Sequence, residues 1–218
     1  MVPSTIVKEA RSRELDVIAI CDHNTSENAP SVKSAAAATG LAVIEGMEIT
    51  SKEEVHVLAL FADDAGMSAV QDEVYSHLEG ENDPEFFGEQ WVVDDRDRVL
   101  GENPRLLIGA TDLSLGDIVD LVHEHGGIVI ASHVERPSFS LLSQLGFIPD
   151  DLPLDGLETC ADVRTDWGSE LAVIRSSDAH RPSEIGRHAT RFLVENGTMR
   201  EIALALKGAR GRGILEET

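Results

Sequence analysis

Short apolar runs that alternate with helical patterns constrain the fold of this chain more than any other feature. The segment "LDVIAI" is apolar over most of its length, as expected of a strand that is covered on both faces. Similar runs recur along the chain at 41–50, 54–61, 126–132 and 171–174. Helical patterns separate most of them, such as Leu115–Glu124, which follows Ser114 as a candidate N-cap. This alternation predicts an α/β fold with a mostly parallel sheet or barrel.

Length and composition set outer limits on the protein. A chain of 218 residues with 42% apolar residues fits one domain, which we assign to residues 1–218. It has no apolar run of roughly 20 residues and no signal-peptide pattern, so we expect a cytoplasmic protein without membrane contact. The net charge of −22 opposes binding to long polyanions, and we therefore expect a small phosphorylated substrate or nucleotide and no long nucleic acid.

The alternation is interrupted once, at residues 79–105. This acidic stretch contains Gly and Pro and a small apolar group at Phe86, Phe87 and Trp91. It is either a solvated surface insertion or a lid that closes over a cleft, since long loops in compact domains are often functional.

Residues able to bind a metal ion follow the predicted strands. Each of these strands ends close to an imidazole or a carboxylate, whereas His56 lies inside the apolar stretch "VHVLAL". In a barrel such strand ends gather at one rim. The candidates are His23, Glu48, His56, His133, Asp178 and His180. A set of nitrogen and oxygen ligands without cysteine favours Zn, Mn or Fe.

These segments together resemble the PHP (polymerase and histidinol phosphatase) family of metal-dependent phosphoesterases. The matching segments, in family order, are "ICDHN", "GMEIT", "EVHVLALF", "IVIASH" and "SSDAH". The resemblance covers essentially the whole chain and is closest to stand-alone bacterial members. It implies a distorted (β/α)7 TIM-like barrel and hydrolysis of a phosphate mono- or diester through a metal-bound hydroxide.

The resemblance also implies roles for individual residues. Glu48, His56 and His133 would form one metal site, and Glu48 would bridge to a second ion that Asp178 also binds. His23 and His180 would hold a third ion. Asp178 or His180 would handle the proton during catalysis. Arg136 is a candidate for binding the substrate phosphate, because a guanidinium matches phosphate geometry.

One departure from the family pattern bears on activity. Family members begin with a strand carrying H-x-H and a further metal-binding histidine, whereas this chain opens on the helix that starts at Pro3. We therefore expect a barrel that lacks its first strand, fewer than three metal ions and impaired phosphoesterase activity. The alternatives are a non-catalytic regulatory or interaction domain of the PHP type, and metal-dependent hydrolysis of a non-phosphate bond.

Overall fold

The computed structural model describes residues 1–160 and 167–215. Seven α-helices are formed within these ranges: α1 (Pro3–Ser12), α2 (Ala29–Ala36), α3 (Asp64–Ser76), α4 (Pro84–Phe87), α5 (Leu115–Glu124), α6 (Leu141–Leu145) and α7 (Met199–Leu206). The first five strands are β1 (Val17–Ile20), β2 (Ala42–Thr50), β3 (His56–Phe61), β4 (Trp91–Val93) and β5 (Val99–Glu102). The others are β6 (Ile128–Ala131), β7 (Gly156–Thr159), β8 (Val173–Arg175), β9 (Arg191–Leu193) and β10 (Gly213–Leu215). The predicted α/β class is therefore confirmed.

The main sheet has six strands in the order β1-β2-β3-β6-β7-β8. The pairs β1–β2, β6–β7 and β7–β8 are parallel, but β3 is antiparallel to both of its neighbours. The expectation of a mostly parallel sheet is thus met everywhere except at β3. The reason is the short connection from Thr50 to His56, since a parallel crossover needs a dozen or more residues.

The reversal of β3 determines where His56 lies. In the antiparallel register His56 pairs with Thr50, the last residue of β2. The first residue of β3 therefore stands at the edge of the sheet where β1, β2, β6 and β8 end. This geometry explains why an imidazole inside an apolar stretch belongs with residues that follow the other strands.

The two faces of the sheet are covered differently. On one face, buried side chains of β2, β3 and β6, including Met47 and Val57, pack against α3 and α5. On the other face Ile44, Leu60 and Ile130 pack against α7. Glu48 follows Ile44 at an interval of four and so shares this second face, because alternate strand residues point the same way. This second face is therefore apolar beneath α7 and polar at the end that carries Glu48.

The acidic segment at 79–105 forms α4 and the hairpin β4–β5, and it is held by hydrogen bonds to α1 and to the start of α2. Asn28 beside α2 donates to the Trp91 carbonyl at 3.1 Å and accepts from the Val93 amide at 3.0 Å. The hairpin turn reaches α1, where Asp97 accepts from the Ser4 amide at 2.9 Å. Phe86 is 80% exposed. The role of this segment as a lid remains a prediction.

Candidate metal centre

The structure brings four of the six predicted ligands together, namely His23, Glu48, His56 and His133, with Asp178 and His180 at their margin. Glu48 is the central residue: its Oε1 lies 3.1 Å from His56 Nδ1 and 3.4 Å from His133 Nε2. Its Oε2 lies 3.4 Å from His23 Nδ1. Each carboxylate oxygen therefore faces a different part of the histidine cluster. The set His23, Glu48 and His56 offers ligand atoms within 4.8 Å of one another, a group that could hold a metal ion.

The Glu48–His56–His133 contacts have the spacing of a metal coordination shell. His133 Nε2 and His56 Nδ1 are 3.3 Å apart, so the three ligand atoms form a triangle with sides of 3.1, 3.3 and 3.4 Å. Two ligands of a tetrahedral Zn²⁺ with bonds of about 2.0–2.1 Å are separated by about 3.3 Å. Glu48 Oε1 is also buried without a hydrogen bond of its own within the described residues. The donor set and its spacing thus fit a divalent cation.

Burial and charge act against each other at Glu48. The residue is only 4% exposed, and burial alone would raise the pKa of its carboxyl group. The contacts with His133 and His56 outweigh burial and hold that pKa well below its ordinary value. Burial lowers the pKa of His23, which favours the neutral imidazole that binds metals. The centre is therefore anionic at Glu48 and rich in nitrogen donors.

Asp178 and His180 follow β8 and lie at the outer side of the cluster. The ring centroids of His23 and His180 are 6.2 Å apart, and the His180 side chain is 60% exposed. Asp178 Oδ2 forms an ion pair with Arg136 Nη2 at 2.6 Å. The predicted substrate-binding arginine thus contacts a predicted metal ligand. A cavity of about 380 Å³ opens here between Arg136, Asp178 and His180.

Three residues that support the centre were missed at the sequence level. Asn24 is fully buried beside His23. Its side-chain amide nitrogen donates to the carbonyls of Leu107 and Gly109, and its side-chain oxygen accepts from the amide of Thr50. Glu158 accepts from the His133 amide at 3.0 Å and so fixes the turn after β6. An acid at the centre of the buried strand "GLET" was the signal for Glu158.

Phe139 is the third residue that supports the centre. Its ring stacks on His56 with centroids 4.9 Å apart, and its carbonyl accepts from the His56 amide at 2.9 Å. Four residues here adopt positive φ without being glycine: Asn24 at 48°, His133 at 30°, Phe139 at 57° and Asp178 at 42°. Such backbone conformations cost about 1–3 kcal/mol each and persist where the surrounding structure enforces them, often at functional sites.

The fold and the site together define an α/β protein with a candidate metal centre at the ends of its strands. Solved structures with this fold include Endonuclease Q from Pyrococcus furiosus, with a TM-score of 0.72 and 20% identity, covering 98% of this chain and 53% of that one. A protein from Bifidobacterium adolescentis assigned as a metal-dependent phosphoesterase has a TM-score of 0.57 and 21% identity, covering 93% and 90% of the two chains. This chain therefore shares its fold with these two proteins.

Sequence comparisons agree with this class. Residues 169–210 match a family described as PHP-associated. The protein YqxK of Bacillus subtilis is 31% identical over 105 residues, which is 43% of this chain and 27% of YqxK. This chain therefore spans about half the length of Endonuclease Q and about a quarter of YqxK. The predicted resemblance to the PHP family is confirmed.

The exclusion of long nucleic acid was wrong. Endonuclease Q, with the same fold, has been solved in complex with a 27-mer duplex that carries an abasic lesion at the active site. Net charge was a poor guide because the field inside a cleft depends on the residues that line it. Here Arg136, Arg181 and Arg187 line the cavity beside Asp178, although the chain as a whole carries −22.

No helix in the described ranges is both long enough and apolar enough to cross a bilayer.

Proposed function

We propose that this protein is a metal-dependent phosphoesterase whose centre is built on Glu48. The observation that carries the proposal is the triangle formed by Glu48 Oε1, His56 Nδ1 and His133 Nε2, with sides of 3.1–3.4 Å. His23 faces the other oxygen of the same carboxylate, which supports a bridging role for Glu48. The solved structures with this fold include a nuclease and a protein assigned as a phosphoesterase.

Residues at different positions of the site would have different roles in ester hydrolysis. Glu48, His56 and His133 would hold a divalent ion, which would supply positive charge to phosphoryl oxygens and acidify water. Asp178 and His180 line the cavity beside this group, where they would accept or deliver a proton. Arg136 lines the same cavity and would bind the substrate phosphate through its guanidinium.

We also propose that the sheet is most of a distorted (β/α)7 barrel. Its described edge strands are β1 and β8, which would lie about 24 Å apart in a flat six-stranded sheet with strands about 4.8 Å apart. His23 follows β1 and His180 follows β8, yet their rings are 6.2 Å apart. In the proposed barrel the sheet curls, which brings the segments that follow β1 and β8 together at the metal centre.

A non-catalytic interaction domain is the alternative, and one observation favours it. Asp178 is neutralised by Arg136 at 2.6 Å, so one of the predicted ligands is already engaged by a cation from the chain itself. An impaired phosphoesterase and an inactive domain differ in whether substrate is turned over at all.

The decisive experiment combines metal binding with hydrolysis. Mn²⁺ and Zn²⁺ binding is measured by calorimetry, and turnover of p-nitrophenyl phosphate and bis(p-nitrophenyl) phosphate is measured with added Mn²⁺. The variant is Glu48→Gln, and the matched control is Glu102→Gln, which makes the same change on the exposed strand β5. We expect Glu48→Gln to weaken metal binding at least tenfold and to abolish turnover, and Glu102→Gln to change neither.

The possible results separate the alternatives. Metal-dependent turnover that requires Glu48 supports the proposal. Metal binding that requires Glu48 without turnover of either ester would replace it with an interaction domain or with hydrolysis of another bond. If the native protein bound neither metal, the proposal of a metal centre would be excluded.

A further inference from the structure

The strand β5 is an exposed edge of the hairpin in the acidic segment 79–105. Within the described residues, β5 pairs with β4 and with no other strand. All four of its residues are exposed, and Val99 and Leu100 are 54% and 67% exposed. An apolar edge strand of this kind is a template on which a strand of another chain can pair. The strand β5 therefore offers both backbone groups and apolar side chains to a partner.

The opposite edge of the hairpin is already covered, which fixes the direction in which β5 faces. Ser31 of α2 donates to the Val93 carbonyl at 2.7 Å, and the Trp91 carbonyl accepts from a side chain beside α2 at 3.1 Å. The backbone groups of Trp91 and Val93 therefore point away from β5. Glu102 lies opposite Trp91, and Val99 lies opposite Val93. Because opposite residues of an antiparallel pair either exchange hydrogen bonds or both point outward, the backbone groups of Val99 and Glu102 face away from β4.

The hairpin is held at both ends by side-chain hydrogen bonds. In its turn, Asp95 accepts from Ser34 Oγ of α2 at 2.8 Å. At its open end, Gln90 Nε2 donates to the carbonyls of Asn103 at 2.8 Å and Arg105 at 2.6 Å. An edge that is already ordered lowers the entropic cost of docking, because only the partner segment then loses conformational freedom.

The charge of the acidic segment limits what can dock on this edge. The segment contains nine Asp and Glu residues and three Arg residues. Two of these arginines are engaged, since Arg98 pairs with Asp94 at 2.6 Å and Arg105 lies 4.0 Å from the centroid of the Tyr75 ring. Glu102 lies on β5 itself. A second copy of this chain, a nucleic acid and an anionic membrane are all negatively charged and would be repelled, whereas a basic segment would be attracted.

We propose that β5 is a docking site for an extended segment of a partner protein in which apolar residues alternate with Lys or Arg. The segment adds to β5 as a further strand, and its backbone bonds the outward-facing groups of Val99 and Glu102. Its apolar side chains cover Val99 and Leu100, and its cations face Glu102. None of the residues of the metal centre takes part, so docking at β5 is independent of the proposed function.

Peptide binding tests this surface. A fluorescently labelled eight-residue peptide of alternating Lys and Val is titrated with the full chain, and its affinity is measured by fluorescence anisotropy. One comparison peptide alternates Glu and Val, and another is the Lys–Val peptide with every backbone nitrogen methylated, which removes its hydrogen-bond donors. We expect both to bind at least tenfold more weakly. Equal binding of the Glu–Val peptide would exclude selection by charge, and equal binding of the methylated peptide would exclude strand pairing. Either result would overturn the proposal.

Substitutions in the protein locate the binding site. L100K places a cation on β5 and should weaken binding of the Lys–Val peptide at least tenfold. The matched control is L193K, which makes the same change at an exposed position of β9 in the other two-stranded sheet, and its affinity should stay within about twofold of the native value. Urea unfolding checks that both variants are folded. Equal affinities of the two variants would overturn the proposal.

The other occupants are tested with the same pair of variants. Sedimentation velocity measures self-association of the native protein, and flotation measures its binding to phosphatidylserine vesicles. We expect a monomer that does not bind vesicles. A dimer that L100K dissociates would identify a second copy as the occupant, and a vesicle complex that L100K disrupts would identify a membrane. Either finding would overturn the proposal of a basic partner segment.

Discussion

Arg136 forms an ion pair with Asp178 at 2.6 Å, at the point where the cavity meets the candidate metal centre. Asp178 was predicted to bind a metal ion and Arg136 to bind substrate. Because the Asp178 side chain is only 15% exposed, its charge needs a nearby cation. The guanidinium supplies that cation here, and a metal ion would have to share or replace it.

Arg136→Gln should therefore strengthen metal binding while it weakens substrate binding. Removal of the guanidinium leaves the carboxylate of Asp178 free to attract a divalent cation, so we expect the affinity for Mn²⁺ to rise several-fold in calorimetry. Arg191→Gln, on the exposed strand β9, is the control. An unchanged or lower Mn²⁺ affinity would show that Asp178 does not contribute to the metal centre.

Asn24→Ala should destabilise the fold strongly. The side chain satisfies the carbonyls of Leu107 and Gly109 and the amide of Thr50, all at 2.8–3.0 Å in a buried position. Unpaired buried polar groups cost about 1–3 kcal/mol each, so we expect a loss of at least about 3 kcal/mol in urea unfolding. Asn196→Ala, at an exposed position, should change stability by less than about 0.5 kcal/mol. A similar small loss for Asn24→Ala would contradict the bonding described above.

Gly46→Ala should disturb the strand pair that carries Glu48 and His56. A Cβ at Gly46 would lie 2.4 Å from the Ala59 carbonyl oxygen, so β2 and β3 would have to separate. We expect a loss of about 1–3 kcal/mol in unfolding free energy, together with weaker metal binding. Gly101→Ala is the matched control, since a Cβ there meets no atom within 4 Å. Equal stability of the two variants would count against close packing at Gly46.

His77 should titrate above the ordinary imidazole pKa of 6.5. Its Nδ1 lies 2.5 Å from Asp112 Oδ1, and this contact, with a smaller one from Glu73, raises the pKa of His77. Since the folded state favours the protonated form, the pair contributes stability below the unfolded pKa and loses it as pH rises through the folded pKa. NMR titration checks the value. Asp112→Asn should lower it, and a pKa that does not respond to this change would exclude the pair.

The local elements could be predicted from the sequence because their signals are local. The bounds predicted for α5, Leu115–Glu124, coincide with the structure, and Ser114 caps it as expected. Helix periodicity and capping chemistry involve neighbours within four residues, so one segment contains the information. The pairing of β9 with β10 was missed, because the tail "RGILEET" has no strand pattern without its partner.

The candidate site, like the fold, has features that the sequence predicts and features that it does not. The sequence by itself determined which strands end in imidazoles and carboxylates, and therefore which residue types are available to a metal ion. Only the tertiary structure decided that Glu48 faces histidines with both oxygens and that Arg136 pairs with Asp178. Side-chain pairing of this kind depends on contacts between segments that are distant along the chain, and the pattern within one segment does not encode it.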